Sequence, residues 1–261
     1  MKRGVHFFLG GRDLEMVTIR ELLLEQQQPF SDRNQSWGAT AGHYADLLPG
    51  VMAAGLQPVF IELENDLSPA PSGAIWVDHH GPRAGADAPT SLEQIFALLE
   101  LPPSRWSRHL ALVAANDRGY IPAMVALKAT REEIASIRES DRQAQGAEPA
   151  DEAAATVALQ QLQQFAAGAL TVAQLESDRT SPLVDRLDPA LGGDGFRNLL
   201  LFTPNEINFF GTGSLVTALA EAFGGWYGGA LPEKWFWGVN GANQQQAVQQ
   251  FLLQQLAATR Q

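Results

Sequence analysis

Apolar residues in the first third of the chain come in short runs separated by longer amphipathic stretches. Val5-His6-Phe7-Phe8-Leu9 predicts a buried strand, and Glu15 to Glu25, with Val17, Ile19, Leu22 and Leu23 on or near one face, predicts a helix. Pro58 to Leu63 and Ala74 to Val77 predict two more strands. Ser91 to Leu99 reads as a helix opened by a capping box of Thr90 and Glu93, and Trp106 to Ala115 as a further helix ending near Asn116. Strands alternating with helices imply a mostly parallel sheet covered by helices, whose ligands sit beyond the carboxyl ends of the strands.

Charged helical sequence from Arg131 to about Gly146 leads to a joint near Gln145 to Asp151, and an Ala- and Gln-rich helix is expected from Ala153 to Ala167. A new βαβ-like unit then begins with Leu199 to Phe202, Ile207 to Phe210, Gly211-Thr212-Gly213 and a helix over Ser214 to Phe223. Trp226 to Trp237 suggests a strand pair, and Ala242 to Leu256 a closing amphipathic helix. The expected organisation is an α/β chain in three parts. Residues 1–145 form an N-terminal lobe around the mostly parallel sheet, 146–180 a helical connector, and 181–261 a smaller C-terminal α/β lobe.

Composition narrows the chemistry. Of 261 residues, 18 are Lys or Arg and 29 Asp or Glu, a net charge of -11. Long nucleic acid is held through neutralised phosphates, so such a chain is not expected to coat it. Hydrophobic residues make up 45%, enough for a packed core. Cysteine is absent, which excludes disulfides, thiolate metal sites and thiol catalysis and leaves His, Asp, Glu or carbonyl oxygen as ligands for any metal. No apolar run approaches membrane-spanning length, and the one after Met1-Lys2-Arg3 is too short for a secretion signal, so the expectation is a soluble, cytoplasmic protein.

Three stretches carry candidate chemistry. In Val77-Asp78-His79-His80-Gly81 an apolar strand delivers an acid and two histidines, natural ligands for manganese, zinc or iron; a turn with an Asp cap and surface histidines is the plainer reading. Ala114-Ala115-Asn116-Asp117-Arg118-Gly119-Tyr120 presents Asp117 at a helix end, which ordinary turn chemistry also explains. Gly10-Gly11-Arg12-Asp13-Leu14-Glu15 follows the first strand and opens a helix, where acids equally serve as caps.

In order and spacing these stretches resemble the DHH family of phosphoesterases. Asp78-His79-His80 matches the signature, Pro89-Thr90-Ser91 a helix opening, Ala114-Ala115-Asn116-Asp117 the last acidic motif, and Asp13 with Glu15 the first. The resemblance covers roughly residues 1–125 and implies a site for Mn2+ or another divalent cation, one or two ions, held by Asp13, Glu15, an acid after the second strand, His79 and Asp117, with Asp78 either joining them on the ion or orienting His79. Glu62, Glu64 and Asp66 are candidates for that acid, and Glu64, nearer the strand end, is preferred. It further implies a metal-activated water attacking phosphorus, with His80 on a phosphoryl oxygen and Arg12, Arg118 and Arg83 meeting its charge. Phe209 to Ser214 looks weakly like the family's substrate-binding lobe, with Gly211, Thr212 and Gly213 at a phosphate and Trp226 or Trp235 under a base.

The chain departs from the family in its first motif, in the acid after the second strand, and in the Gly211-Thr212-Gly213 turn, which lacks the histidine the family often has there. Leu9 stands where the first motif usually has a histidine, and Glu15 replaces an aspartate. The expected function is therefore a manganese-dependent phosphodiesterase or phosphatase acting on a small phosphorylated substrate such as a nucleotide or short oligonucleotide. The rival is a catalytically degenerate relative that binds nucleotide or metal as a sensor or partner module. Oligomeric state is left open.

Overall fold

The computed structural model describes residues 4–36, 38–79, 88–228 and 235–258. The chain divides into two compact units, Met1–Gln145 and Gly146–Gln261.

The first unit contains, in chain order, β1 (Val5–Leu9), α1 (Leu14–Glu25), β2 (Phe30–Ser31), α2 (Leu48–Ala53), β3 (Gln57–Ile61), β4 (Ile75–Val77), α3 (Ser91–Leu98), α4 (Arg108–Ala126) and α5 (Arg131–Ala144). Its sheet has the order β2-β1-β3-β4, and every pairing is parallel. Strand alternation sends Phe8, Phe60 and Trp76 to one face, where their rings stack and pack with Tyr44, Leu48 and Val51. Phe7, Leu9, Val59 and Ile61 point to the other face and are fully buried. Both faces are covered, so the strands read as continuous apolar runs.

Caps set the helix starts. Asp13 Oδ1 accepts the Met16 N–H at 2.8 Å to open α1, and Thr90 and Glu93 form the expected capping box of α3. The helix expected to stop near Asn116 instead runs on as α4 to Ala126, interrupted only at Gly119 and Tyr120. The two-residue β2 was not foreseen, being too short to show a period.

The second unit comprises α6 (Pro149–Gln160), β5 (Gln163–Phe165), β6 (Leu170–Gln174), α7 (Ser181–Leu187), β7 (Leu199–Phe202), β8 (Glu206–Gly211), α8 (Gly213–Phe223), β9 (Trp226–Gly228), β10 (Trp235–Asn240) and α9 (Gln245–Ala258). These strands form one sheet, ordered β5-β6-β7-β8-β10-β9. Residues 146–180 are therefore not a helical connector. They supply α6 and two strands, because the chain turns back over Ala166, Ala167 and Gly168, all at positive φ. The expected βαβ unit is instead an antiparallel hairpin of β7 and β8, since residues 203–205 are far too few for a crossover between parallel strands. Among the described residues of this sheet, only β6 and β7 run parallel. One face holds Trp237, Phe209 and Ile207 against Leu215, Leu219, Val248 and Leu252, and the other packs Leu199 and Leu201 with Ala155, Leu183 and Leu187.

Candidate metal centre

The parallel register decides which side chains meet. Leu9, Ile61 and Val77 stand side by side at the ends of β1, β3 and β4. The next residues, Gly10, Glu62 and Asp78, leave the sheet along one crest. Glu62 takes a left-handed turn there (φ 50°), and its N–H donates to Val77 O at 2.8 Å. Gly10 must lack a side chain, because a Cβ would lie 2.3 Å from Glu62 O and 2.5 Å from Ile61 O. That close approach lets the chain pass from β1 into α1 and carry Glu15 inward.

Four residues from distant stretches converge at this crest. Glu15, Glu62, His79 and Asp117 each offer a ligand atom, and these atoms all lie within 4.8 Å of one another. His79 Nε2 is 2.6 Å from Asp117 Oδ2, and its Nδ1 is 3.4 Å from Glu62 Oε1 and 3.9 Å from Glu15 Oε2. The start of α3 holds two of the acids in place. The Leu92 N–H donates to Glu15 Oε1 at 2.9 Å, and the Ser91 hydroxyl donates to Glu62 Oε1 at 2.8 Å. The other oxygen of Glu15, Oε2, is buried and accepts no hydrogen bond among the described residues.

Crowded acids in a buried space resist ionisation together. Burial raises the Glu15 carboxyl well above its usual range, and Asp117 and Glu62 add to the effect. Burial and Glu62 push Asp13 up to about 7, against the opposing Met16 hydrogen bond. For His79, burial disfavours the cation, but hydrogen bonds to Asp117 and Glu62 outweigh it and lift the group to about 10. Without a metal the site thus holds protons that offset its negative charge. A divalent ion fits the same role. Three carboxylates and one imidazole are a donor set suited to manganese or zinc, and Glu15 Oε2 is a buried acceptor otherwise unused.

The sequence-derived candidates fall in several places. Glu15, His79 and Asp117 belong to the cluster. Asp13 caps α1 beside it and feels the charges of Glu62 and Asp117. The acid after the second strand in the cluster is Glu62, whereas Glu64, the preferred candidate, is exposed and pairs with Thr40 through its backbone. Alternation places Glu62 and Glu64 on one side only while the chain stays extended, and the turn at Glu62 ends that. Asp78 is outside the four, its carbonyl accepting from Gln94 Nε2 at 3.1 Å. Arg118 pairs with Glu93, the capping acid of α3. Arg12 is exposed and lines a cavity of about 210 Å³ with Gly11, Arg20, Asp32 and Asn34. His80 and Arg83 lie outside the described residues, as does the side chain of Trp235.

In the second unit, Gly211, Thr212 and Gly213 join β8 to α8. The Thr212 N–H donates to Asn198 Oδ1 at 3.1 Å, and a Cβ on Gly211 would meet that same oxygen at 2.3 Å. Trp226 is partly exposed with its ring across Gly238. Sequence reasoning missed the parts played by Ser91 and the Leu92 N–H. The Thr90/Glu93 capping box signals a helix start there, but not what that start touches. Leu9 is buried, and His6 bonds to the Ser31 hydroxyl at 2.9 Å rather than joining the cluster.

No known family profile matches the chain, and no curated protein is similar to it. Solved structures do share its fold. An exopolyphosphatase-related protein from Bacteroides fragilis aligns over 99% of this chain and 94% of its own, at 10% identity and a TM-score of 0.56. RecJ from Thermus thermophilus in complex with Mn2+ aligns over 98% of this chain and 52% of its own, at 13% identity and a TM-score of 0.54. The same protein with Mg2+ gives a TM-score of 0.52 at 13% identity. At such identities the likeness establishes the mixed α/β fold, with its parallel sheet and second helix-flanked sheet. No helix among the described residues is long and apolar enough to cross a membrane.

Proposed function

We propose that the chain is a metal-dependent phosphoesterase acting on a small phosphorylated substrate such as a nucleotide or short oligonucleotide. The observation that carries this reading is the convergence of Glu15, Glu62, His79 and Asp117 at the crest of a parallel sheet. Two likenesses support it: one protein of this fold is exopolyphosphatase-related, and another was solved with Mn2+ and with Mg2+. These four residues would hold the ion, Mn2+ by preference, with Asp13 beside them for a second. A divalent ion there supplies a Lewis acid for a phosphoryl oxygen and lowers the pKa of water.

The chain's own residues do the rest. Ser91 and the Leu92 N–H fix Glu62 and Glu15, so the carboxylates need no reorganisation when the ion enters. Arg12, in the cavity beside α1, offers a guanidinium to a substrate phosphate. Arg118 is tied to Glu93 and would have to exchange that partner to do the same. His80 and Arg83, which come after His79 in the chain, are proposed for the phosphoryl oxygens, and Gly211, Thr212 and Gly213 to contact a substrate phosphate. The acidic chain disfavours long nucleic acid as substrate.

A second reading has its own observation. The end of β1 contributes Leu9 and no imidazole, and the gathered set is the size of a one-ion site. A chain that binds ligand without turnover would look the same. Hydrolysis of bis-p-nitrophenyl phosphate and of a dinucleotide, with Mn2+ added, separates the two. Turnover abolished by His79→Ala and Asp117→Ala establishes the phosphoesterase. Tight nucleotide binding with no turnover establishes the sensor, and no uptake of Mn2+ at saturation rejects the metal centre altogether.

A further inference from the structure

Helix α5 buries Ile134, Ile137, Arg138 and Asp141, and two of these four are charged. Arg138 is only 2% exposed and Asp141 4%. The Arg138 Nη1 donates to Asp141 Oδ2 at 2.6 Å and to Asn116 Oδ1 at 2.9 Å, while Nη2 donates to the Tyr120 hydroxyl at 3.0 Å. The guanidinium also lies over the Tyr120 ring, 3.9 Å from its centroid. Asp141 Oδ1 accepts the Leu14 N–H at 3.1 Å.

One buried ion pair therefore grips two stretches far apart in sequence. Leu14 sits between Asp13 and Glu15, and Asn116 directly precedes Asp117. Tyr120 marks the interruption of α4 just beyond Asp117. Its φ of 59° and ψ of -147° lie in a region that residues with a Cβ rarely adopt. Arg138 holds both the ring and the hydroxyl of that residue. A buried ion pair gains little over well-packed apolar side chains, so fold stability alone does not account for one at this position.

We propose that Arg138 and Asp141 are positioning residues for the metal centre, holding Leu14 and Asn116 so that the Glu15 and Asp117 carboxylates converge on His79. The inference rests on reading the cluster as a metal centre. The test is calorimetric titration of the full chain with Mn2+, with thermal melts of the metal-free protein alongside. Arg138→Lys keeps a cation against Asp141, but a single ammonium cannot fork to Asn116 and Tyr120 as well. A cooperative melt should persist while the Mn2+ dissociation constant rises about 10- to 100-fold. Asn116→Ala removes the acceptor beside Asp117 and should show a loss of the same order, and the double variant should lose no more than the larger single loss. Ile134→Ala, buried on the same helix outside the network, should lower the melting temperature and keep wild-type affinity. Wild-type affinity in Arg138→Lys, or in Asn116→Ala should the first fail to fold, overturns the positioning role and leaves the metal centre standing. So does an affinity loss in Ile134→Ala that follows its loss of stability. A wild-type chain that takes up no Mn2+ overturns both.

Discussion

Raising the pH should strengthen metal binding steeply, because without an ion the centre stores protons. A metal needs a neutral imidazole and ionised carboxylates, so its entry displaces those protons. Burial opposes the His79 cation, yet hydrogen bonds to Asp117 and Glu62 prevail and lift the group to about 10. At pH 7 the protonated form then outweighs the neutral one by roughly a thousand to one, and affinity should climb about tenfold per pH unit from His79 alone. Between pH 7 and 8.5 that is an increase of roughly 30-fold in the Mn2+ association constant. Titration calorimetry in buffers of different ionisation enthalpy should count at least about one proton released per ion at pH 7. The stability of the metal-free protein moves the opposite way. Asp13 and His79 have folded-state pKa values above their unfolded ones, so what they contribute is complete below the unfolded value and is lost as pH rises through the folded one. That window runs from 3.8 to about 7 for Asp13 and from 6.5 to about 10 for His79. The metal-free melting temperature should fall from neutral to alkaline pH while the gain on adding Mn2+ grows. An Mn2+ affinity that stays flat across neutral pH would refute the assignment of these protons to the site.

Other perturbations separate neighbouring residues. Glu62→Gln should cut Mn2+ affinity about 100-fold or more by calorimetry, because it removes a carboxylate that would hold the ion and loss of an outer partner alone costs about 10- to 100-fold, whereas Glu64→Gln, exposed and outside the cluster, should leave it unchanged. Ser91→Ala, which frees Glu62 from its 2.8 Å hydrogen bond, should cost about tenfold in the same measurement with little change in thermal stability. Gly10→Ala would force a Cβ against the Glu62 and Ile61 carbonyls and should destabilise the chain by about 1–3 kcal/mol in urea unfolding; an unchanged midpoint would contradict the close approach. In the second unit, Trp237→Ala should cost about 3–5 kcal/mol by the same method, since the side chain is fully buried and its indole N–H donates to Gly224 O at 2.7 Å.

Much of the first unit could be read locally. Burial period and caps are properties of neighbouring residues, so β1, α1, β3, β4 and α3 follow from Val5 to Leu9, the Asp13 cap, and the Thr90/Glu93 box. Glu15, His79 and Asp117 stood out because a carboxylate or imidazole just past an apolar strand or beside a turn is visible in one dimension. The second unit was less legible. A parallel crossover and an antiparallel hairpin use similar apolar runs, and only the length of residues 203–205 distinguishes β7–β8 as a hairpin. Strand β5 was hidden inside the helix expected over Ala153 to Ala167, and β6, just beyond it, is placed by the turn at Ala166 to Gly168 that pairs the two.

The order of residues along the chain determined the elements and supplied the acids, since helix and strand preferences act over a few positions. Folding in three dimensions decided which acids share a site. The alignment of Leu9, Ile61 and Val77 places the residue after Ile61 at the crest, so Glu62 is chosen over Glu64. The start of α3 reaches back to Glu15 across 77 positions, and Asp141 reaches Leu14 across 127. Hydrogen bonds act over about 3 Å whatever the separation in sequence, and no local pattern of residue types encodes where such partners will meet.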